Sequence, residues 1–430
     1  MTFRSGRPGR RRPTTLLVAA TVMALVATAC SSTGDTGSGS TVTLGAIYPT
    51  SGKQGPGGVD EERGAALAVQ LANSQGGLHG KQIKLKLLDV EAGSDARQAV
   101  DKLHAAGVQV LLGTYGSTIS GPASVAASQD GMLLWETGAV GETADGAGAG
   151  QTFFRIAPSG SNLGRGGVAF VENELAPLLP AAPKRYAIAY VNDAYGRAVG
   201  LGAVDEVNAS GAELAGAFPY DVNNLDPQQL VAEIAQTHPD VLFVSAYLDD
   251  GIAIRQATIA QQLPLLASVG TSSSYCMPAF AAALGAGAVG LFASDKPDGD
   301  DVREDALSPE GRQNLLWARD QYQTQYHAVM SPAALGGFSN AWALVGHVLP
   351  ASPGLSAADV AATARTLKLP IGTLSNGAGL DLAPPGAHDA GENRAAVSVI
   401  WQWVDSHTQA VVYPPAFATR PLTSIPIQTR

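Results

Sequence analysis

Val108-Gln109-Val110-Leu111-Leu112-Gly113-Thr114-Tyr115-Gly116-Ser117-Thr118-Ile119-Ser120-Gly121-Pro122 is the segment on which the architecture turns. Its apolar first half, residues 108–113, reads as a buried strand, a short aliphatic run bounded by glycines. Residues 95–106 before it carry helical spacing and stop at Gly107. Beyond it a hydroxyl- and glycine-rich loop leads into a helix expected over 120–129, with Pro122 in the first turn and Ser120 suited to the N-cap. Ligands of open parallel sheets sit beyond the carboxyl ends of the strands. The free N–H groups, helix start and hydroxyls of Ser117 and Thr118 therefore suit a carboxylate.

The same alternation runs outward in both directions. Upstream it predicts a strand over 42–47, a small-residue helix over 64–73 closed by Gly76-Gly77, and a strand over 83–89. Downstream it predicts a strand over 133–135, then a glycine-rich break over 141–150. A second series follows, with strands at 186–191, 241–246 and 266–269. Helices separate them at 195–209, stopped by Gly211, and at 250–262, stopped by Pro264. Strand-helix-strand repeats of this length build parallel sheets. Two successive α/β lobes are expected, and the alternation over 395–404 and 410–412 adds a strand pair.

The N-terminus sets the compartment. Arg4, Arg7, Arg10, Arg11 and Arg12 precede an apolar run over 14–29 that ends Ala27-Thr28-Ala29-Cys30. A basic start, a short apolar stretch and small residues before the cut mark a signal peptide over 1–29. Cys30 directly after the cut resembles a bacterial lipobox, which implies acylation at Cys30 and attachment to the extracytoplasmic face of the cell membrane. The alternative is an ordinary secretory signal with Cys30 beside its cleavage site. Residues 31–40 read as a flexible polar tether. Without the signal, the 27 basic residues fall to 22 against 37 acidic ones, near −15. That balance argues against nucleic acid or anionic lipid as partners, leaving the lipid anchor as the membrane contact. Cys276, the other cysteine, reads as a buried, inert thiol.

An ordered series of short signatures extends over most of the chain: Gly45-Ala46 with Ser51-Gly52, Gly64-Ala65-Ala66, Asn73 with Gly76-Gly77 and Gly80, Asp89, Gly113 with Ser117, Phe154-Arg155, Asp193 with Tyr195-Gly196, Asp240-Val241 and Arg255-Gln256-Ala257. The series resembles the leucine/isoleucine/valine-binding type of solute-binding protein of ABC transporters. The resemblance implies a type I periplasmic binding protein, two Rossmann-like lobes with parallel sheets joined by three crossover strands and closing on a solute. It places 41–157 and about 291–352 in the first lobe, and about 158–290 and about 353–430 in the second. Residues 288–294 would cross back to the first lobe, with helices at 309–328 and 333–349 completing it. A small-molecule solute and a transporter permease are the implied partners, with no cofactor.

Carried over residue by residue, the resemblance gives Ser117 and Thr118 the solute's carboxylate and brings in the backbone of Ala139. Tyr195 covers the solute from the second lobe, with Ala246-Tyr247 beside it. Three positions depart from the pattern: Val140 stands for a threonine, Gly57 for an aromatic, and Ser272 falls at or near the acid that receives the α-ammonium group. Losing that charge-assisted bond removes about 1.5–3 kcal/mol, which argues against a standard branched-chain amino acid. Glu136, at the end of a first-lobe strand, is the compensating acid the sequence offers, with a solvent-facing or arginine-paired structural Glu as the alternative. Asp249 and Asp250 read mainly as helix-start residues. Trp135 reads as pocket wall or core, and Tyr275 with its preceding serines as hydroxyls suited to an amide, polyol or neutral polar ligand.

Enzyme readings find less support. There is no Gly-x-Ser-x-Gly elbow, no Walker loop and no His pair at i,i+4. Gly285-Ala286-Gly287-Ala288-Val289-Gly290 matches a dinucleotide spacing in the wrong context, after a helix-like stretch and before a strand. A non-enzymatic capture protein for a small polar or amphipathic solute is the expectation. A ligand-sensing receptor component of the same fold and a surface hydrolase are the alternatives.

Overall fold

The computed structural model describes residues 41–271, 273–297 and 301–427. The expected signal peptide, Cys30, the tether and Ser272 lie outside the described residues. Two sheets organise the rest. The first lobe runs β1 (Val42–Tyr48), α1 (Gly55–Ser74), β2 (Ile83–Asp89), α2 (Gly93–Ala105), β3 (Val110–Gly113), α3 (Ser117–Gln129), β4 (Leu133–Glu136) and β5 (Phe153–Arg155). Its strands pair in parallel in the order β2-β1-β3-β4-β5. The fully buried Leu111, Leu112, Leu133 and Leu134 explain why the central strands read as continuous apolar runs.

The second lobe opens with α4 (Gly160–Phe170), β6 (Arg185–Val191), α5 (Ala194–Ser210), β7 (Glu213–Tyr220) and α6 (Pro227–Gln236). It continues with β8 (Val241–Ser245), α7 (Leu248–Ala260), β9 (Ala267–Thr271), α8 (Pro278–Leu284) and β10 (Phe292–Asp295). Helices α9 (Pro309–Tyr326) and α10 (Pro332–Trp342) then pack on α1 of the first lobe. The chain returns for β11 (Val399–Trp403) and β12 (Gln409–Tyr413). The second sheet has seven strands in the order β12-β11-β10-β9-β8-β6-β7, parallel except for the antiparallel β10–β11 and β11–β12 pairs. The chain passes between lobes after β5, after β10 and before β11.

Several expectations need correction. The strand expected to cross back at 288–294 is β10, hydrogen-bonded within the second sheet between β9 and β11; the crossing comes after Asp295. The helix Ala357–Thr366 packs against β4, so the first lobe also takes in chain beyond 352. Helix α1 begins nine residues before position 64, through Gly55-Pro56-Gly57-Gly58, which reads locally as a loop. Close packing demands two of those glycines, since a Cβ at Gly57 would collide with Tyr115 Oη and one at Gly58 with the Pro49 carbonyl; further along α1, one at Gly64 would collide with the Ala334 carbonyl of α10. Strand β7 and helix α6 went unread, because β7 is half-exposed along most of its length and lacks a clean apolar run. Trp135 is core, donating from Nε1 to Asn340 O at 2.8 Å.

Candidate functional site

The carboxyl ends of the parallel strands of both sheets meet between the lobes. In the first lobe α3 starts at Ser117, not Ser120, with Gly116 as N-cap and Pro122 inside the helix. Ser120 is free of capping because its hydroxyl donates to Glu136 Oε2 at 2.6 Å. Thr114 N, Gly138 N and Ala139 N donate to Glu136 Oε1 at 2.6, 3.0 and 2.8 Å, and Thr114 Oγ1 to Oε2 at 3.0 Å. A fully buried carboxylate with five donors is a strut holding the loops after β3 and β4 together. Glu136 is therefore not an open acid facing a solute ammonium, which corrects the compensating role expected of it.

The same saturation extends to the expected carboxylate seat. Ser117 Oγ accepts from Gly141 N at 2.9 Å and Val140 N at 3.3 Å, and Thr118 Oγ1 accepts from Gln54 Nε2 at 2.9 Å. The amide of Ala139 is already given to Glu136. Ser117, Thr118 and Ala139 thus stand at the expected strand ends, each hydrogen-bonded to a partner in its own lobe.

The second lobe supplies an aromatic face. Tyr195, at the start of α5, and Tyr247, just before α7, have ring centroids 5.5 Å apart. The Tyr195 hydroxyl lies 2.8 Å from Thr271 Oγ1, and Tyr247 Oη donates to Asp193 Oδ2 at 2.6 Å. Asp193 also caps α5, accepting from Tyr195 N and Gly196 N at 2.9 Å each, so one carboxylate fixes both tyrosines. Asp250 is buried, accepting from Tyr247 N and from Tyr220 Oη, while Asp249 is exposed. Burial raises the Asp250 carboxyl above its usual range, and burial beside Asp193 holds the Tyr247 phenol well above its own. Tyr275 belongs to the lobe interior, its ring beneath Gly270 and against Phe280, so it offers no hydroxyl to the cleft.

The lobes touch at residues the sequence did not flag. Tyr115 Oη lies 3.2 Å from Ser273 Oγ across the cleft, and Lys53 Nζ donates to Asn223 Oδ1 at 2.7 Å at its rim. The Tyr115 backbone is left-handed (φ +62°), and the ring fills the space that Gly57 leaves. Behind this contact lie three buried charged residues: Glu61 on α1, Asp295 at the end of β10, and Lys296 at the start of the crossover. Cys276, buried as expected, hydrogen-bonds the Asp295 carboxylate. Tyr115 was visible in the loop after β3. Glu61 was hidden by the glycine-rich start of α1, and Asp295–Lys296 by the misplaced crossover.

Surface cavities lie elsewhere. One of about 530 Å³ is lined by Trp403, His407 and Gln409 beside the β11–β12 hairpin, and one of about 370 Å³ by Glu142, Arg165 and Glu392 near the crossovers. Neither includes Ser117, Tyr195 or Tyr247, and neither gathers groups from the strand ends of both sheets. Among the described residues no group of three or more His, Cys, Asp or Glu side chains is arranged to hold a metal ion. No described helix is long and apolar enough to cross a membrane.

Two lobes with strand ends facing across a tyrosine-lined junction agree with a sequence match: a model of the periplasmic binding protein family matches residues 41–405. The chain belongs to that family. It is similar to Leu/Ile/Val-binding protein homolog 8 of Brucella suis biovar 1 (strain 1330), 28% identical over 395 residues, covering 90% of this chain and 94% of the relative. Its fold is that of the branched-chain amino acid transporter substrate-binding protein LivJ of Streptococcus pneumoniae, solved with isoleucine (TM-score 0.70, 18% identity, 87% of this chain and 100% of that one). It is equally that of an ABC transporter solute-binding protein from R. palustris solved with benzoate (TM-score 0.67, 20% identity, 90% and 99%). The periplasmic binding protein is thus of type I, and its family is one of extracytoplasmic solute-binding proteins.

Proposed function

We propose that this periplasmic binding protein captures a small polar or amphipathic solute, amino-acid-like, amide or carboxylate, and delivers it to the permease of an ABC importer. Binding is the whole activity and no chemistry is performed on the solute. The observation that carries the reading is the paired Tyr195–Tyr247 face, fixed by Asp193 and set opposite Tyr115 at the strand ends of the other lobe. Aromatic rings with anchored hydroxyls suit an apolar body with a polar end. Relatives that hold isoleucine and benzoate support a carboxylate-bearing solute. Ser117, Thr118 and the Ala139 backbone receive that carboxylate once their internal hydrogen bonds are exchanged for the solute's. We also propose that Cys30 carries the lipid that holds the protein at the membrane.

Thermal-shift screening of the mature chain against amino acids, amides, carboxylates, polyols and nucleosides tests the reading. A ligand at 100 times its Kd stabilises the folded state by about 2.7 kcal/mol. Absence of any shift across all classes, with no retention in equilibrium dialysis, sinks it. Cys30→Ala should release the protein from membranes, and retention there would refute the anchor.

A further inference from the structure

Glu61, Asp295 and Lys296 are 0%, 1% and 3% exposed. They come from different parts of the chain: α1 of the first lobe, the end of β10 in the second, and the crossover joining them. Glu61 Oε1 accepts from Thr137 Oγ1 at 2.7 Å, and Thr137 Oγ1 in turn lies 2.8 Å from Tyr48 Oη. Glu61 Oε2 has no hydrogen-bond partner, and neither has Asp295 Oδ1. The Lys296 ammonium makes no hydrogen bond or ion pair among the described residues; it lies against α10, where a Cβ at Gly336 would be 3.6 Å from Nζ. A Cβ at Gly138 would collide with Glu61 Oε2, so a glycine in the loop after β4 keeps the carboxylate in place.

Buried polar atoms are rarely left without partners, and buried carboxylates less often still. The junction holds two acids against one base, so balance requires a proton or another cation, and each acid has an unused oxygen. It also adjoins the Tyr115–Ser273 contact between the lobes, where Glu61 and Asp295 both act on the Tyr115 phenol. The acid that the branched-chain pattern places at or near position 272 is missing, because Ser272 carries no charge.

We propose that Glu61 and Asp295, with Lys296 beside them, form the subsite that receives a basic nitrogen of the solute, an ammonium or amine, in place of an acid at position 272. The inference rests on the solute-capture reading. Glu61 Oε2 and Asp295 Oδ1 accept from the nitrogen, and the arriving charge takes the place of the proton that balances the cluster before binding. Before binding, Glu61 carries the proton: burial, and then Glu136 and Asp295, raise its pKa to about 8 against the opposing effect of Lys296. The other ionisable groups facing it are Tyr48 and Tyr115. Seating a cation releases that proton, so affinity rises with pH up to about 8 and then levels off.

The test uses the mature chain and three probes of one shape: leucine, 3-methylbutylamine and 4-methylpentanoate, titrated calorimetrically in two buffers of different ionisation enthalpy. The expected result is binding of the amine-bearing probes with proton release, weakened at least tenfold by Glu61→Gln and by Asp295→Asn. Glu61→Gln keeps the shape of the protonated acid, so urea unfolding at about pH 4, below the unfolded pKa of Glu61, should give wild-type stability and confirm that the variant folds. Two results would overturn the subsite: 4-methylpentanoate binding as tightly as leucine, or leucine affinity unchanged in both variants. Failure of every solute class to bind would sink the capture reading itself, and the subsite with it.

Discussion

Glu136 and Glu61 are both fully buried in the first lobe, and their carboxylates have opposite circumstances. Glu136 accepts five hydrogen bonds from the loops it ties together. Glu61 accepts one, from Thr137, and leaves an oxygen unpaired opposite a buried lysine and a second acid. Five donors offset the cost of dehydrating a carboxylate, whereas one donor does not. The difference separates a carboxylate that builds the cleft from one that awaits a partner in it. Burial alone, identical in the two, would not have told them apart.

The contrast is most exposed to failure at Glu136. Replacing it with Ala strands three backbone amides and two hydroxyls, and Glu136→Ala should lose about 3–5 kcal/mol in urea unfolding. A loss below about 1 kcal/mol would mean that the loops after β3 and β4 stand without it. Glu61→Gln should act in the opposite sense. The native pKa of Glu61 lies above its unfolded value, so the folded state holds the extra proton between about pH 4.5 and 8 and wild-type stability falls as pH rises through that window. The variant should lack that decline and exceed wild type at pH 9. A parallel decline in both proteins would show that Glu61 is already paired.

On the opposite face the expected effects are smaller for folding and larger for binding. Tyr195→Phe removes a hydroxyl 2.8 Å from Thr271 Oγ1 and should cost about 1 kcal/mol of stability. Tyr195→Ala should weaken solute binding at least tenfold by calorimetry, through loss of the ring beside Tyr247. Lys53→Ala, at the exposed rim contact with Asn223, should leave stability within about 0.5 kcal/mol of wild type. A larger change would move the energetic centre of lobe contact from Tyr115–Ser273 to the rim.

The alternating architecture was legible because its signals are local. Apolar runs such as Leu111–Leu112 and glycine stops such as Gly107 and Gly211 each declare an element from a few residues. The placing of Tyr195 and Tyr247 side by side was legible through the family pattern, and Asp193 shows what fixes them. What stayed hidden depends on separation in sequence. Nothing near Glu136 announces that its donors come from two loops and a helix, and nothing near Glu61 announces Lys296, more than two hundred positions away. The start of α1 misled for a related reason: glycines that look like loop residues are there for neighbours, Tyr115 and α10, that arrive later in the chain. Strand β10 was misplaced because its partner β11 lies about a hundred residues downstream, beyond the reach of any local pattern.

The fit between Gly57 and Tyr115 has a consequence for the shape of the cleft. One ring's worth of space at the cleft is shared by the first turn of α1 and the loop after β3: at position 57 this chain has a hydrogen, and the Tyr115 ring occupies the space. The two positions are therefore a single lever. A bulky residue at 57 must be matched by a small one at 115, and the reciprocal swap would recut the floor of the cleft while every strand and helix stayed where it is. The shape of the cleft can thus be changed by trading a side chain between α1 and the loop after β3, without leaving it either plugged or bare.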